Sequence, residues 1–348
     1  MSVSVRTKIT ILVAGALILI GGIFLSRLPG RLYSYSRQAA QEPADSAPKE
    51  TTLFIAGDIM LSRNVGAKIS QASDPLLPFR AVADRIKAAS LSFANLESPF
   101  LGSGPKVTAG MVFKAEPENV AGLKDFAVVQ TANNHSADQG DKGLNFTDQL
   151  LAANGVGHLG TGEDCHKGTV LERDGIRFGF LAYSYAGYND GGKKPNPLVC
   201  DWNDTDQVLS DIRALRPDAD ILIVAPHMGT EYMRKPDAGN VTRARQAIDA
   251  GADIVIGTHP HWIQPIERYK EGVIFYSLGN FVFDQMWSED TREGLTATLT
   301  FREKALERIE VHPVIIDNYC CPRFADSEES KAILGKINLT SEVLLDKN

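Results

Sequence analysis

Cysteine is scarce in this 348-residue sequence. There are four, Cys165, Cys200, Cys320 and Cys321, and no two of them stand as Cys-x-x-Cys. A structural zinc centre of the paired-cysteine kind is therefore not expected. No repeat of fixed period is visible, which sets stacked-repeat architectures aside. Positive charge is also short, since the whole chain carries a formal net charge of −7. Arg6, Lys8, Arg27, Arg31, Arg37 and Lys49 against Glu42, Asp45 and Glu50 leave residues 1–50 at +3, so residues 51–348 carry −10. A domain this acidic repels nucleic acid at long range, and no nucleic-acid partner is expected. It would repel an anionic polymer as well, unless a metal or a local basic patch reverses the sign at the site.

Charge of either sign is missing from one stretch. Between Lys8 and Arg27 no residue is ionisable, and the run is dominated by Ile, Leu, Val, Ala and Gly. About 17–20 apolar residues suffice to cross a bilayer core as a helix. Arg6 and Lys8 precede the run and no acid does, which orients the N-terminus to the cytoplasm. A cleaved signal peptide is the rival reading, but Phe24, Leu25 and Arg27 suit a small-x-small cleavage site poorly. The expected organisation is a cytoplasmic N-terminus (1–8), a single transmembrane anchor (9–26), a flexible linker (27–50) and a folded extracytoplasmic domain (51–348). The linker is rich in Ser, Ala, Gln, Pro and charge and has too little apolar content to pack. Outside the cytoplasm disulfides are permitted, and Cys165 with Cys200 is a candidate pair. Adjacent Cys320 and Cys321 are not expected to bond each other without backbone strain, so one or both would stay free.

The whole chain is 43% hydrophobic and 23% charged, ordinary for a globular protein. Short apolar runs rich in Val, Ile and Phe predict strands at 52–56, 91–94, 127–131, 176–183, 221–225, 254–256 and 273–276. Amphipathic stretches predict helices at 79–89, 146–153, 205–215 and 242–250, with Gly155 and Gly251 placed to end two of them. Gly140 and Gly143 read as turn residues. "TATLTF" and "RIEVHPVII" look like two later strands, and 324–348 like a small closing element. Alternating strands and helices mean an α/β fold with buried sheets.

The chemically unusual residues follow those strands. Asp58 comes after "TLFIAG", Glu97 after "LSFANL", and Asn133, Asn134 and His135 after "AVVQTA". His227 comes after "ILIVAP", His259 and His261 after "DIVIGT", and Asn280 after "VIFYSLG". The carboxyl ends of parallel strands share one edge, where ligands bind. Residues more than 200 positions apart can converge there. Asp58, Glu97, Asn134, His227, His259 and His261 offer the carboxylate, amide and imidazole donors that divalent Mn, Fe or Zn takes. One such histidine alone would read as a hydrogen-bonded loop residue, and it is the ordered recurrence that points to a site. The His259–Pro260–His261 pair is expected to aim both rings one way only if its backbone is strand-like. His135 can donate a proton or hold an anion. Asp138 orients it or caps the next turn, and Asn133 and Asn134 are alternatively turn residues. Arg63 could grip an anionic group by its bidentate fork, or form a surface salt bridge. Glu231 can support a histidine as an outer partner, and Asn280 with Asp284 can shape the rim. Phe281 and Phe283 read as core packing, and His158, His166 and His312 as surface or structural.

The blocks "GDIMLSR", "FANLESP", "TANNHSADQG", "HMGTEY", "GADIVIGTHPHWIQPIE" and "YSLGNFVFD", in this order, resemble the CapA family of capsule and poly-γ-glutamate synthesis proteins. The resemblance covers about residues 52–300. It implies an anchored, externally facing protein that serves polyglutamate synthesis or export beside membrane-embedded synthase subunits, with the anionic polymer as a partner. That family in turn resembles the calcineurin-like metallophosphoesterases, which implies a four-layer α/β/β/α sandwich with a dinuclear metal site. On that pattern Asp58 matches the first acid, Glu97 stands where the second motif's acid falls, and Asn134 matches the bridging amide donor. His135 matches the catalytic histidine, His227 the lone one, and His259 with His261 the final pair. Met60 stands where the pattern has a histidine, and the Gly-Asp-x-x-Asp motif is absent. A thioether is a poor ligand for a hard metal, so the site is compatible with one metal, two unequal metals or none. Three functions follow: a component of polyglutamate synthesis with a metal-dependent, hydrolase-like site, a secreted metal-dependent phosphoesterase, and a non-catalytic subunit that binds the polymer.

Overall fold

The strand at the centre of the protein sorts its side chains by a period of two. In "TLFIA" Leu53 and Ile55 enter one hydrophobic cluster while Phe54 and Ala56 enter another. Alternate residues of a strand point to opposite faces, so a strand buried on both faces reads as a continuous apolar run. The same division holds in "ILIVA", where Ile221, Ile223 and Ala225 join the first cluster and Leu222 and Val224 a third.

These features belong to a computed structural model that describes residues 49–103, 111–185, 196–340 and 343–346. The expected N-terminus 1–8, the membrane anchor 9–26 and nearly all of the linker 27–50 lie outside the described residues. Among the described residues no helix is long and apolar enough to cross a membrane. The chain runs β1 (Thr51–Ile59), α1 (Arg63–Ala72), α2 (Ala83–Ala88), β2 (Leu91–Leu96), β3 (Val128–Gln130), α3 (Gly140–Ala153), β4 (Gly157–Leu159), β5 (Thr169–Arg173), β6 (Ile176–Ser184), α4 (Thr205–Leu215) and β7 (Ile221–His227). It continues through α5 (Ala238–Ala250), β8 (Ile254–Ile256), β9 (Ile266–Tyr269), β10 (Gly272–Phe275), β11 (Asn280–Val282), α6 (Glu289–Arg292), β12 (Glu293–Arg302), β13 (Ala305–Asp317), β14 (Cys321–Phe324), α7 (Ser327–Gly335) and β15 (Val343–Asp346).

The fold is mixed α/β with two sheets. One has the order β14-β13-β12-β1-β2-β3-β4, with β11 added beside β1 and β15 beside β13. Its β1, β2, β3 and β4 are parallel, while β12, β13 and β14 form an antiparallel wing. The other has the order β5-β6-β7-β8-β10-β9, parallel from β6 through β10. Ile55, Phe93 and Val128 of the first sheet meet Phe180, Ile223 and Ile254 of the second in one shared core. Val65, Ile69, Ile86 and Leu151 cover the first sheet's other face, and Val208, Ile212, Ala244 and Ile248 that of the second. Fully burying one such aliphatic side chain contributes about 1.5–3 kcal/mol. Asp204 and Asp237 cap α4 and α5 by accepting from Gln207 N and Asn240 N, and Gly251 closes α5 at φ 120°. The two aspartates satisfy backbone donors at the helix starts, and Gly251 ends α5 before the chain enters β8.

Two glycines permit that edge to close up. A Cβ on Gly57 would stand 1.9 Å from Gly279 O, and one on Gly257 2.1 Å from Tyr276 O. Only glycine lets those backbones meet. The antiparallel pair β12 and β13 matches the two later strands expected from sequence, and 324–348 contains α7 and β15. Three expectations need correction. The helix at 79–89 is a 3₁₀ turn at Leu77–Phe79 followed by the short α2, because Pro78 suits the start of a turn and removes a donor. Gly143 lies inside α3, packed so closely that a Cβ would stand 2.4 Å from that of Gln139, and Gly140 opens the helix at φ +65°. Cys320 and Cys321 are bonded to each other, alongside the Cys165–Cys200 disulfide. They follow Asn318 and Tyr319, whose positive φ angles (52° and 64°) turn the chain tightly from β13 into β14.

Candidate metal centre

Asp58 lies near the end of β1, its backbone in register with Asn95 of β2 on one side and Asn280 of β11 on the other. Glu97 follows β2 directly, and His227 ends β7, bridging to Thr258 beyond β8. The carboxyl ends of both sheets thus deliver side chains to one place. Oxygen and nitrogen atoms of Asp58, Glu97 and His227 all fall within 4.8 Å of one another. Glu97 Oε1 stands 3.8 Å from His135 Nε2 and 3.8 Å from His261 Nε2, and His261 Nδ1 stands 3.7 Å from Asp58 Oδ2. Asn134 Oδ1 is 2.9 Å from His227 Nε2, and the His227 and His259 rings are 4.8 Å apart. All seven residues are buried.

The loop 258–262 that carries His259 and His261 is not strand-like, so the condition set for aiming both rings one way is not met. His259 has φ 101° and His261 φ 57°. Left-handed backbone at non-glycine residues costs of order 1–3 kcal/mol each and persists only where the surroundings over-determine it. Here Asp58 Oδ2 accepts from His259 N at 3.3 Å and Asn280 Oδ1 holds His261 Nδ1 at 2.9 Å. Tyr232, which stacks on the His261 ring, also has a positive φ, 59°.

Electrostatics follow burial. Desolvation pushes the Asp58 carboxyl up to about 7, against the opposing hydrogen bonds from Asn95 Nδ2 (2.7 Å) and His259 N. The same desolvation holds His227 and His259 well below the usual imidazole value and His261 down to about 3. Neutral imidazoles are the form that binds metals. Asn134 Nδ2 and His259 Nδ1 are buried polar atoms with no hydrogen-bond partner among the described residues. The His259 ring nitrogen can serve as a metal donor, whereas the Asn134 amide nitrogen can only donate a hydrogen bond. His227 Nε2 and Asn134 Oδ1, an imidazole nitrogen and an amide oxygen, lie 2.9 Å apart at this centre. The donor set fits a divalent ion, which Asp58, Glu97 and His227 would hold with Asn134, His259 and His261 beside them. Met60 is fully buried, and its sulfur accepts from Ser62 N at 3.1 Å.

The remaining expected residues fall around this centre. His135 Nδ1 is 2.7 Å from Asp138 Oδ2, which leaves Nε2 toward Glu97, and its ring stacks on Phe113 at 3.9 Å. Asp138 therefore contacts the histidine. Asn133 accepts from His135 N and donates to Leu96 O and Asn95 Oδ1, tying the loop to β2. Glu231 Oε1 is 4.0 Å from His261 Nε2. Arg63 forms a two-point ion pair with Asp284, 2.6 and 3.1 Å, and lies over Phe113. Its fork is thus engaged by a carboxylate of the protein. Phe281 and Phe283 are core residues. His158, His166 and His312 lie elsewhere, facing Asp148, Asp211 and Arg85.

Sequence reasoning missed Asn95 and Thr258. Asn95 contacts Asp58, Asn133 and His227 Nδ1 (3.3 Å), and Thr258 Oγ1 is 2.9 Å from the same His227 nitrogen. The signal that could have found Asn95 was a polar residue inside "SFANL", a strand buried at every position.

A family model described as "Bacterial capsule synthesis protein PGA_cap" matches residues 52–285. The "Capsule biosynthesis protein CapA" of Bacillus anthracis is 32% identical over 284 residues, 77% of this chain and 68% of that one. The "PGA biosynthesis protein CapA" of Bacillus subtilis (strain 168) is 32% identical over 295 residues, 82% of this chain and 77% of that one. Among solved structures, a 5'-nucleotidase precursor from Thermus thermophilus aligns with a TM-score of 0.47 at 14% identity, over 83% of this chain and 58% of that one.

Proposed function

We propose, from the premise that this chain belongs to the bacterial capsule synthesis protein family PGA_cap, that it serves poly-γ-glutamate capsule biosynthesis or export through a divalent metal centre. The likeness to the two CapA proteins supports the process. The observation that carries the site is the convergence of Asp58, Glu97 and His227 from three separate strands, completely buried, with neutral imidazoles around them. In this reading the arrangement is the α/β/β/α sandwich of the metallophosphoesterases. The protein is held to the membrane by residues 9–26 with its domain outside, next to membrane-embedded synthase subunits.

When bound, a Mn, Fe or Zn ion supplies Lewis acidity toward a carbonyl or phosphoryl oxygen. The protein's own groups do the rest. Asp138 fixes the His135 ring so that Nε2 faces the centre, where it donates a proton or holds an anion. Asn280 holds His261 by Nδ1 and leaves Nε2 toward Glu97. Arg63, whose Nε and Nη2 are taken by Asp284, anchors the rim in a charge-balanced pair and does not offer its fork to an anion. Burying Met60 away from ligation favours one strongly held ion over an equal pair.

The test compares two variants, with folding checked by circular dichroism. His259→Ala should lose bound metal and polymer yield together. His135→Ala should lose polymer yield and keep its metal, because a proton donor acts in the reaction and not in ligation. Normal polymer yield from both variants would leave a binding scaffold in place of a metal-dependent activity.

A further inference from the structure

Asn95 stands where three parts of the site meet. Its backbone is in register with Asp58, so the sheet fixes its position. Its side chain is fully buried and makes three contacts. Nδ2 donates to Asp58 Oδ1 at 2.7 Å and stands 3.3 Å from His227 Nδ1, while Oδ1 accepts from Asn133 Nδ2 at 3.2 Å. Asn133 in turn holds the backbone of His135.

We propose that Asn95 is the positioning residue that sets how strongly this centre holds its ion. The inference rests on the reading of the centre as a metal site. By donating to Asp58 Oδ1 the amide occupies one carboxylate oxygen and leaves Oδ2 on the side of His261 and His259. On the other side it faces the His227 nitrogen that is not turned toward Asn134. A histidine that ligates through one nitrogen carries its proton on the other and needs an acceptor there, which raises its basicity as a ligand. The Asn95 amide nitrogen can only donate, so Thr258 Oγ1 is left as the acceptor for that proton. An amide at position 95 therefore orients both ligands and strengthens neither by charge. A carboxylate in its place would accept from His227 Nδ1 and add an anion beside the ion, at the cost of repelling Asp58 while the ion is absent.

The experiment uses the purified full-length chain as wild type, Asn95→Asp and Asn95→Ala, each stripped with chelator and titrated calorimetrically with Mn²⁺ at pH 8. Asn95→Ala should bind Mn²⁺ about 10–100-fold more weakly, the usual loss for an outer-shell partner. Asn95→Asp should bind at least about 10-fold more tightly, while its stripped form unfolds at a lower urea concentration than wild type. A purely structural residue would give two destabilised variants, neither of them binding more tightly. Equal or weaker Mn²⁺ binding by Asn95→Asp overturns the proposal. Should the stripped Asn95→Asp chain not fold, recovery of its circular dichroism at a Mn²⁺ concentration below the wild-type Kd supports it, and no recovery overturns it. Failure of the wild type and of Asn95→Asp to bind Mn²⁺, Fe²⁺ or Zn²⁺ sinks the metal reading itself, an outcome separate from wild-type binding that Asn95→Asp fails to improve.

Discussion

Replacing Asp58 by asparagine separates the cost of burying a carboxylate from the benefit of having it there. Burial raises its carboxyl from 3.8 to about 7, with Asn95 and the His259 backbone offsetting only part of the desolvation. A carboxyl moved that far corresponds to about 4 kcal/mol. The sign follows from proton counting. Between pH 3.8 and about 7 the folded chain holds a proton on Asp58 that the unfolded chain has released. The contribution of Asp58 to stability therefore falls as pH rises through that window. In chelator at pH 8 the full cost of about 4 kcal/mol applies, and at pH 5 it is about 2 kcal/mol. Asparagine avoids it at both pH values and gives up one accepted hydrogen bond, worth about 1 kcal/mol. Asp58→Asn should then stabilise the metal-free protein by about 3 kcal/mol at pH 8 and about 1 kcal/mol at pH 5. With Mn²⁺ at about a thousand times its Kd the wild type gains about 4 kcal/mol and the variant, having lost an anionic ligand, gains less. Urea denaturation followed by tryptophan fluorescence, at both pH values with chelator or Mn²⁺, measures all four conditions. A variant that is less stable than wild type in chelator by the same amount at pH 5 and pH 8 would refute the argument from desolvation.

Three further outcomes are expected. Metal-free protein should lose stability as pH falls below the unfolded-state imidazole value of 6.5, because His227, His259 and His261 are held neutral by burial and bind protons only on unfolding or far lower, about 3 for His261, and together outweigh the opposing gain from Asp58. An acid titration in chelator that stays flat from pH 6.5 to about pH 4 would contradict that assignment. Replacing Cys165 and Cys200 by alanine opens a link between positions 35 residues apart and should cost about 3–4 kcal/mol of unfolding free energy, read by urea denaturation. The anchor is tested by adding protease to intact cells, which should remove residues 51–348. Protection of that domain, or its recovery as a soluble cleaved product, would count against the expected topology.

The alternation of strands and helices and the two late antiparallel strands were legible in the sequence because they rest on local patterns. A period of two with β-branched residues, a capping aspartate or glycine and a proline act within a few positions. The convergence of the candidate residues was legible for a related reason. Asp58, Glu97, Asn134, His227, His259 and His261 each follow a run that only a buried strand explains, and parallel strands bring their carboxyl ends to one edge. Other features depended on the third dimension. The pairing of Arg63 with Asp284 joins positions 221 residues apart, and nothing local to either announces the other. His259 and His261 take left-handed backbone and bond to Asp58 and Asn280, partners that the sequence around Pro260 does not announce. The bond between Cys320 and Cys321 sits where β13 passes into β14, and the adjacent pair in the sequence did not announce it. Asn95 is the clearest case, an ordinary residue in a buried strand until the sheet sets it against Asp58 and the second sheet brings His227 to its other side. Local sequence specifies which side chains face a strand's two sides, and only the packing of the two sheets specifies which of them meet.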